Sequence, residues 1–294
     1  RSFLHDSGVP RGRAMVQDLF HGPERTRVMA WIGMAMGLCP PAATVLGGQL
    51  HVALGWQANF WVMTVLAVLL LAAAWYGLPA HEKPAGVQPH WLGAMLAAYA
   101  RLAREPAFIL YVLLLSMTTA TFYTFLGGAP LVLGSYGVGP DRVGYYIMCV
   151  PLAYIAGNFA TSRLVHRLGD RRMMQAGQAF TLSAIVLLLA LGLAGVNTPL
   201  AFSLPLIFLG IGHGLLVPPA LTGTVSLLPA LAGSAAAVAG VMQQLLGAAG
   251  GYAVGLVRHD GAVNLGWLML GFALSAATAQ ALLHRHARQA PARP

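Results

Sequence analysis

The chain has 294 residues, 57% of them hydrophobic and only 9% charged, with a formal net charge of +9. Soluble domains carry about a quarter of their residues as Asp, Glu, Lys or Arg, so this composition excludes an ordinary soluble enzyme, and the scattered positive charge forms no basic module for a nucleic acid to contact. Mean hydropathy is +0.69, and apolar runs of about 20 residues, enough to cross a ~30 Å hydrocarbon layer as a helix, recur along the chain.

The first twenty residues, RSFLHDSGVPRGRAMVQDLF, are not such a run, because Asp6, Arg11 and Arg13 interrupt them. A central Asp or Arg costs roughly 2.5–3.5 kcal/mol on insertion, against about half a kcal/mol gained per Leu. This stretch therefore crosses only where other helices shelter it. Eight full spans come after it, at 28–50, 56–78, 107–127, 143–164, 173–195, 198–228, 232–257 and 263–284. Lipid offers no partner to an open backbone amide, so repeated spans mean an all-α, polytopic membrane helix bundle, with the lipid bilayer as its first partner. The spans 28–50 and 198–228 contain internal prolines and are predicted to be kinked or loosely bounded.

The longest interruption is 79–106. It opens with Pro79, Pro84 and Pro89, then sets Trp91, Leu92, Met95, Leu96 and Leu102 against Arg101 and Arg104. That pattern predicts a linker followed by a helix lying on the membrane surface. Three units result: an N-terminal part (1–78), the linker (79–106) and a six-span group (107–288), with a short tail at 289–294.

Lys and Arg mark cytoplasmic loops. Alternating the spans puts twelve of these residues on one side, among them Lys83, Arg101 and Arg104, and only Arg142 and Arg258 on the other. The richest stretch, SRLVHRLGDRRMM at 162–174, falls on the cytoplasmic side. Two readings stand for it: a topology anchor alone, or a cytoplasmic latch in which Arg167, Gly169, Asp170 and Arg171 bridge neighbouring helix ends. Cys39 and Cys149 lie within apolar spans and suit neither a disulfide framework nor a metal site. No metal and no cofactor are expected, and no H-E-x-x-H or intramembrane carboxylate suggests an enzyme.

Several segments, in order, resemble the major facilitator superfamily, and within it the bicyclomycin/chloramphenicol-resistance group of drug/proton antiporters. They are GRAMVQDLF, GLCPPAATVLGGQL followed by GWQANF, REPAFILY, FYTFLGGAPLVLGSYGVGPDRVGYY, LVHRLGDRR and GSAAAVAGVMQQLLGAAGG. The resemblance implies twelve helices in two six-helix halves, with this chain entering within the fourth helix, so that the transporter is expected to be N-terminally truncated and incomplete as given. It implies a monomeric, multi-pass protein of the bacterial inner membrane that exports small apolar or cationic compounds against protons. The fifth-helix signature departs from the group's pattern: Thr44 stands where a proline is usual, and Pro40 and Pro41 lie a turn earlier. An uptake carrier of the same fold, or a non-functional remnant, is the alternative, since fold alone does not fix function.

Candidate site residues are suggested by type and spacing. Thr118, Thr121, Phe122 and Phe125 share a stripe of the 107–127 span, where hydroxyls among rings suit either a cavity for flat or cationic compounds or plain helix packing. This span is predicted to end in the flexible LGGAP stretch. Tyr154 and Gln243 are further candidates, and Asn158 reads as structural. His213, well inside a span, is either a proton relay or a hydrogen-bonded packing histidine. Gly240, Gly247 and Gly251, with Gln244, share one helix face and predict a close contact with the opposite half, matched from the other side by Gly47 and Gly48.

Overall fold

The computed structural model describes residues 39, 42–77, 91–258 and 261–289. Residues 1–38, Pro40, Pro41 and the proline-rich linker 78–90 lie outside the described residues, and with them the expected fourth-helix segment and the displaced proline kink. The described residues are helical throughout their ordered elements: α1 (Ala42–Leu54), α2 (Gln57–Gly77), α3 (Trp91–Ala103), α4 (Pro106–Ser135), α5 (Pro140–Ile147), α6 (Cys149–Leu193), α7 (Pro199–Ser226), a 3₁₀ turn (Pro229–Leu231), α8 (Ala232–Val254) and α9 (Ala262–Gln289).

The amphipathic stretch of the linker forms α3, which docks by one face. Leu102 is buried against Phe108 and Ala235, with Tyr99 packed beside them, while Leu96 and Arg101 point away. Glu105 is extended and Pro106 takes the first helical position of α4, where a missing N–H costs nothing.

α4 then runs past the point where it was predicted to stop. The LGGAP stretch stays helical, and the helix ends only at Ser135. The reason is tertiary. Gly128 has no side chain, and Leu265 of α9 fills the space its Cβ would need. The expected break is therefore a docking notch.

α6 holds two spans. Gly169, at φ 77° and ψ 157°, joins an arm that begins at Cys149 to one that ends at Leu193. Only glycine takes that conformation without steric cost. α7 carries Pro205, Pro218 and Pro219 and remains one helix. Among the described residues five segments are long and apolar enough to cross a membrane, and the one spanning Pro140–Leu193 contains both arms, so the group from α4 to α9 holds six apolar helical arms that alternate in direction. Its first and last ends, and the Gly169 joint, accordingly lie on one face.

α7 is the centre of this group, with 61% of its most apolar window buried against 17% for α8. It presses against both arms of α6 at glycines. A Cβ on Gly157 would stand 2.5 Å from the Ile211 carbonyl oxygen, and one on Gly177 would stand 2.5 Å from that of Gly212. Thr161 bridges the same seam, its hydroxyl lying 3.1 Å from the Gly157 carbonyl and 2.9 Å from that of Gly214. Towards one end, Phe125, Ile185, Phe202, Leu209 and Leu265 form the larger core, and towards the other Leu114, Leu115, Met174 and Leu216 form a smaller one. Of the N-terminal part, α2 is exposed over nearly its whole surface, whereas α1 is anchored to the six-span group.

Candidate transport pathway

α4 presents two adjacent stripes, and they differ in burial. Leu114, Thr118, Thr121 and Phe125 face inward, all less than 5% exposed. The hydroxyls of Thr118 and Thr121 donate to the carbonyls of Leu114 and Met117 one turn back, at 2.8 and 2.9 Å. Phe125 lies beside Phe202 at 6.5 Å between ring centroids. Thr118, Thr121 and Phe125 are thus buried in this arrangement. The partly open stripe lies next to them: Thr119, Phe122, Tyr123 and Leu126 are each half-buried. Phe122 belongs to both the expected stripe and the open one.

The open stripe meets α8. The Thr119 hydroxyl is 3.3 Å from Gln243 Oε1, whose amide nitrogen donates to the Ala239 carbonyl at 3.2 Å. Tyr123 lies over Gly247, whose Cβ would come within 3.1 Å of its ring. The glycine face of α8 therefore divides. Gly247 is turned towards α4, as is Gly250, which sequence reasoning missed and whose Cβ would stand 2.6 Å from the Ala120 carbonyl. Gly240 and Gly251 have open space where a Cβ would be, beside the exposed Gln244.

Behind Phe122 sits His213, 4% exposed, with ring centroids 6.3 Å apart and 59° between the planes. Its Nε2 has no hydrogen-bond partner among the described residues. Tyr154 is half-buried on the first arm of α6, and its carbonyl accepts from the Asn158 side chain at 2.9 Å. Beyond Asn158 the first arm of α6 and the far half of α7 enclose a crevice of about 500 Å³, lined by Thr161, His166, Asp170, Pro218 and Thr222 among others. It opens at the Gly169 joint. Arg167, Asp170 and Arg171 are all exposed there, and Asp170 forms no ion pair among the described residues.

At the opposite end α1 crosses α5 with backbone against backbone. A Cβ on Gly144 would stand 2.6 Å from the Thr44 carbonyl oxygen and 2.9 Å from Val45 Cα, and one on Gly48 would stand 2.6 Å from the Pro140 carbonyl oxygen. Gln49 adds a tie by donating to the Asp141 carbonyl at 3.1 Å. Gly47 turns the other way, its carbonyl accepting from Asn59 at 3.2 Å. Gly48 thus does meet the other half of the chain, but through the backbone of Pro140 and Asp141 and not through the glycines of α8.

Residues 2–251 match the family described as Major Facilitator Superfamily. The chain belongs to that superfamily. Among its relatives in the superfamily, a bicyclomycin resistance protein homolog of Haemophilus influenzae is 25% identical over 267 residues, covering 90% of this chain and 67% of that protein. A chloramphenicol resistance protein of Pseudomonas aeruginosa is 26% identical over 273 residues, covering 90% of this chain and 62% of that protein. A triacylglyceride transporter of Mycolicibacterium smegmatis is 25% identical over 324 residues, covering 86% and 57%. The chain thus spans about two thirds of the length of the curated relatives it matches, or somewhat less. Membership makes it a multi-pass transporter-family protein, a family whose members in general move solutes and do not transform them.

Proposed function

We propose that the chain serves an efflux transporter of the bacterial inner membrane that exports small apolar or cationic compounds by alternating access, in exchange for protons. The observation that carries this reading is the half-buried face between α4 and α8. It offers two aromatic rings, Phe122 and Tyr123, and one neutral polar pair, Thr119–Gln243, with no carboxylate or cation beside them among the described residues. Such a surface suits flat, weakly polar compounds, and a ring face attracts an organic cation by about 0.5–2 kcal/mol. The names of the bicyclomycin- and chloramphenicol-resistance relatives support export over uptake. The described carboxylates Glu105, Asp141 and Asp170 lie at helix ends, and of the two buried histidines among the described residues His284 sits in the last turns of α9 whereas His213 is mid-span, so the imidazole of His213 is the group we assign to the coupling proton.

The test is resistance to several chemically distinct compounds in a pump-deficient strain, with membrane abundance quantified. Phe122→Ala and Gln243→Ala should change resistance severalfold and unequally between compounds at unchanged abundance. Proportional loss of every resistance together with abundance would make this face packing and would remove the reading. Energy-dependent accumulation instead of extrusion would replace export by uptake, the direction the name of the triacylglyceride relative leaves open.

A further inference from the structure

The two rims of the six-span group are charged differently, and differently satisfied. On the rim of the Gly169 joint stand Arg163, Arg167, Arg171 and Arg172, flanked by Arg104 and Arg285, every one exposed. No carboxylate among the described residues forms an ion pair with any of them, although Glu105 and Asp170 lie on the same rim. The ion pair that forms among the described residues, Arg142 with Asp141 at 3.6 Å, is on the opposite rim. Charge asymmetry across a membrane explains why the arginines are on this side. It does not say what neutralises them.

The first arm of α6 shows how they are presented. Leu152, Phe159, Arg163 and Arg167 succeed one another at helical spacing along one face, and Leu152 and Phe159 are 44% and 62% exposed. The order is aliphatic, aromatic, cation, cation towards the joint, the polarity profile of a bilayer from acyl chain to headgroup. The Arg163 guanidinium is held 5.2 Å from the centre of the Phe159 ring, which fixes its position while leaving its donors free. A guanidinium binds a phosphate through two parallel hydrogen bonds. The cytoplasmic leaflet is the one that carries anionic lipid.

We infer that the arginine rim centred on Arg163, Arg167 and Arg171 is a docking surface for the phosphate headgroups of anionic phospholipid. The inference does not depend on which compound is moved or in which direction. Clustered basic residues near a membrane contribute about fivefold in lipid partition per arginine, the factor that ~1 kcal/mol per cation corresponds to.

The experiment reconstitutes the full chain in nanodiscs of phosphatidylcholine and phosphatidylglycerol in equal amounts, extracts it in mild detergent, and quantifies retained lipid by mass spectrometry. The wild-type chain should retain phosphatidylglycerol well above its equal share. Arg163→Gln/Arg167→Gln/Arg171→Gln should return retention to that share with helical circular dichroism unchanged, whereas Arg142→Gln on the other rim should keep the enrichment. Should the triple variant not fold, Arg167→Gln and Arg171→Gln singly should each lower it in part. Equal retention of the two lipids by the wild type overturns the proposal, as does undiminished enrichment in the folded triple variant. Inorganic phosphate that displaces the lipid at millimolar concentration shows a site for free phosphate, which overturns the lipid assignment.

Discussion

Replacing Phe125 by Ala tests which face of α4 is packed. Its ring is 1% exposed and lies beside Phe202 within the larger core. In a bilayer the transfer of a ring from protein interior to lipid contributes little, so the loss comes from the void. Removing roughly 100 Å³ at about 24 cal/mol per Å³ costs about 2–3 kcal/mol. For a chain of this size that lowers the unfolding temperature by about 5 °C or more. Phe122 already borders open space and leaves no closed void, so Phe122→Ala should cost about 1 kcal/mol or less. Thermal unfolding of the two purified variants, followed by tryptophan fluorescence at one detergent concentration, gives the comparison. Equal shifts, or the larger shift for Phe122→Ala, would refute the assignment of inner and outer stripes.

Three further outcomes are set by the backbone and the charge of the rims. Gly144→Leu should detach α1 from α5, since its side chain would displace the Thr44 carbonyl 2.6 Å from the Cβ position; a proximity cross-link between cysteines at Gln49 and Tyr145 should form in the parent chain and be lost in the variant. Gly134→Ala, with open space at its Cβ, should leave that cross-link intact. Gly169→Ala should cost about 1–3 kcal/mol, because φ is 77° there, and should lower the unfolding temperature by a few degrees; an unchanged temperature would show that the joint relaxes. Reporter fusions at His166 and Gly139 should give opposite cytoplasmic and external signals, and identical signals would discard the orientation of the rims.

The spans were legible because a stretch of about 20 apolar residues has few alternatives. The end of α4 was not. Gly127, Gly128 and Pro130 read locally as a stop, whereas Gly128 is the notch that receives Leu265, more than a hundred residues away in the chain. The half-buried stripe of α4 lies one helical step from the stripe expected from spacing, and Phe122 is common to both. Thr118 and Thr119 are the same residue type, and hydropathy cannot separate a packed interior from an open face when both are apolar. The i, i+4 pair Thr119 and Tyr123, opposite the small residues of α8, was the signal that could have found the open stripe. Gln243 was recognisable as a polar residue inside a span, yet its partner on α4 was not. Gly47 and Gly48 were expected to match the glycine face of α8; Gly48 lies against the Pro140 backbone instead, and Gly144, which takes the Thr44 and Val45 backbone of the same crossing, has no periodicity to announce it.

The joint at Gly169 has a consequence for how this chain can vary. A connection such as 194–198 between α6 and α7 can lengthen at little cost, because the entropy of closing a loop grows slowly with its length. The joint has no coil to absorb an added residue. One extra helical residue turns the second arm by about 100° and advances it by about 1.5 Å. Gly177 would then leave the Gly212 carbonyl while Gly157 stayed on Ile211, and α7 could no longer fit both arms at once. The two arms therefore work as a ruler. Insertions and deletions are tolerated at the ends of this hairpin and forbidden at its bend, so the length between Gly157 and Gly177 is fixed even where the residues between them are free to change.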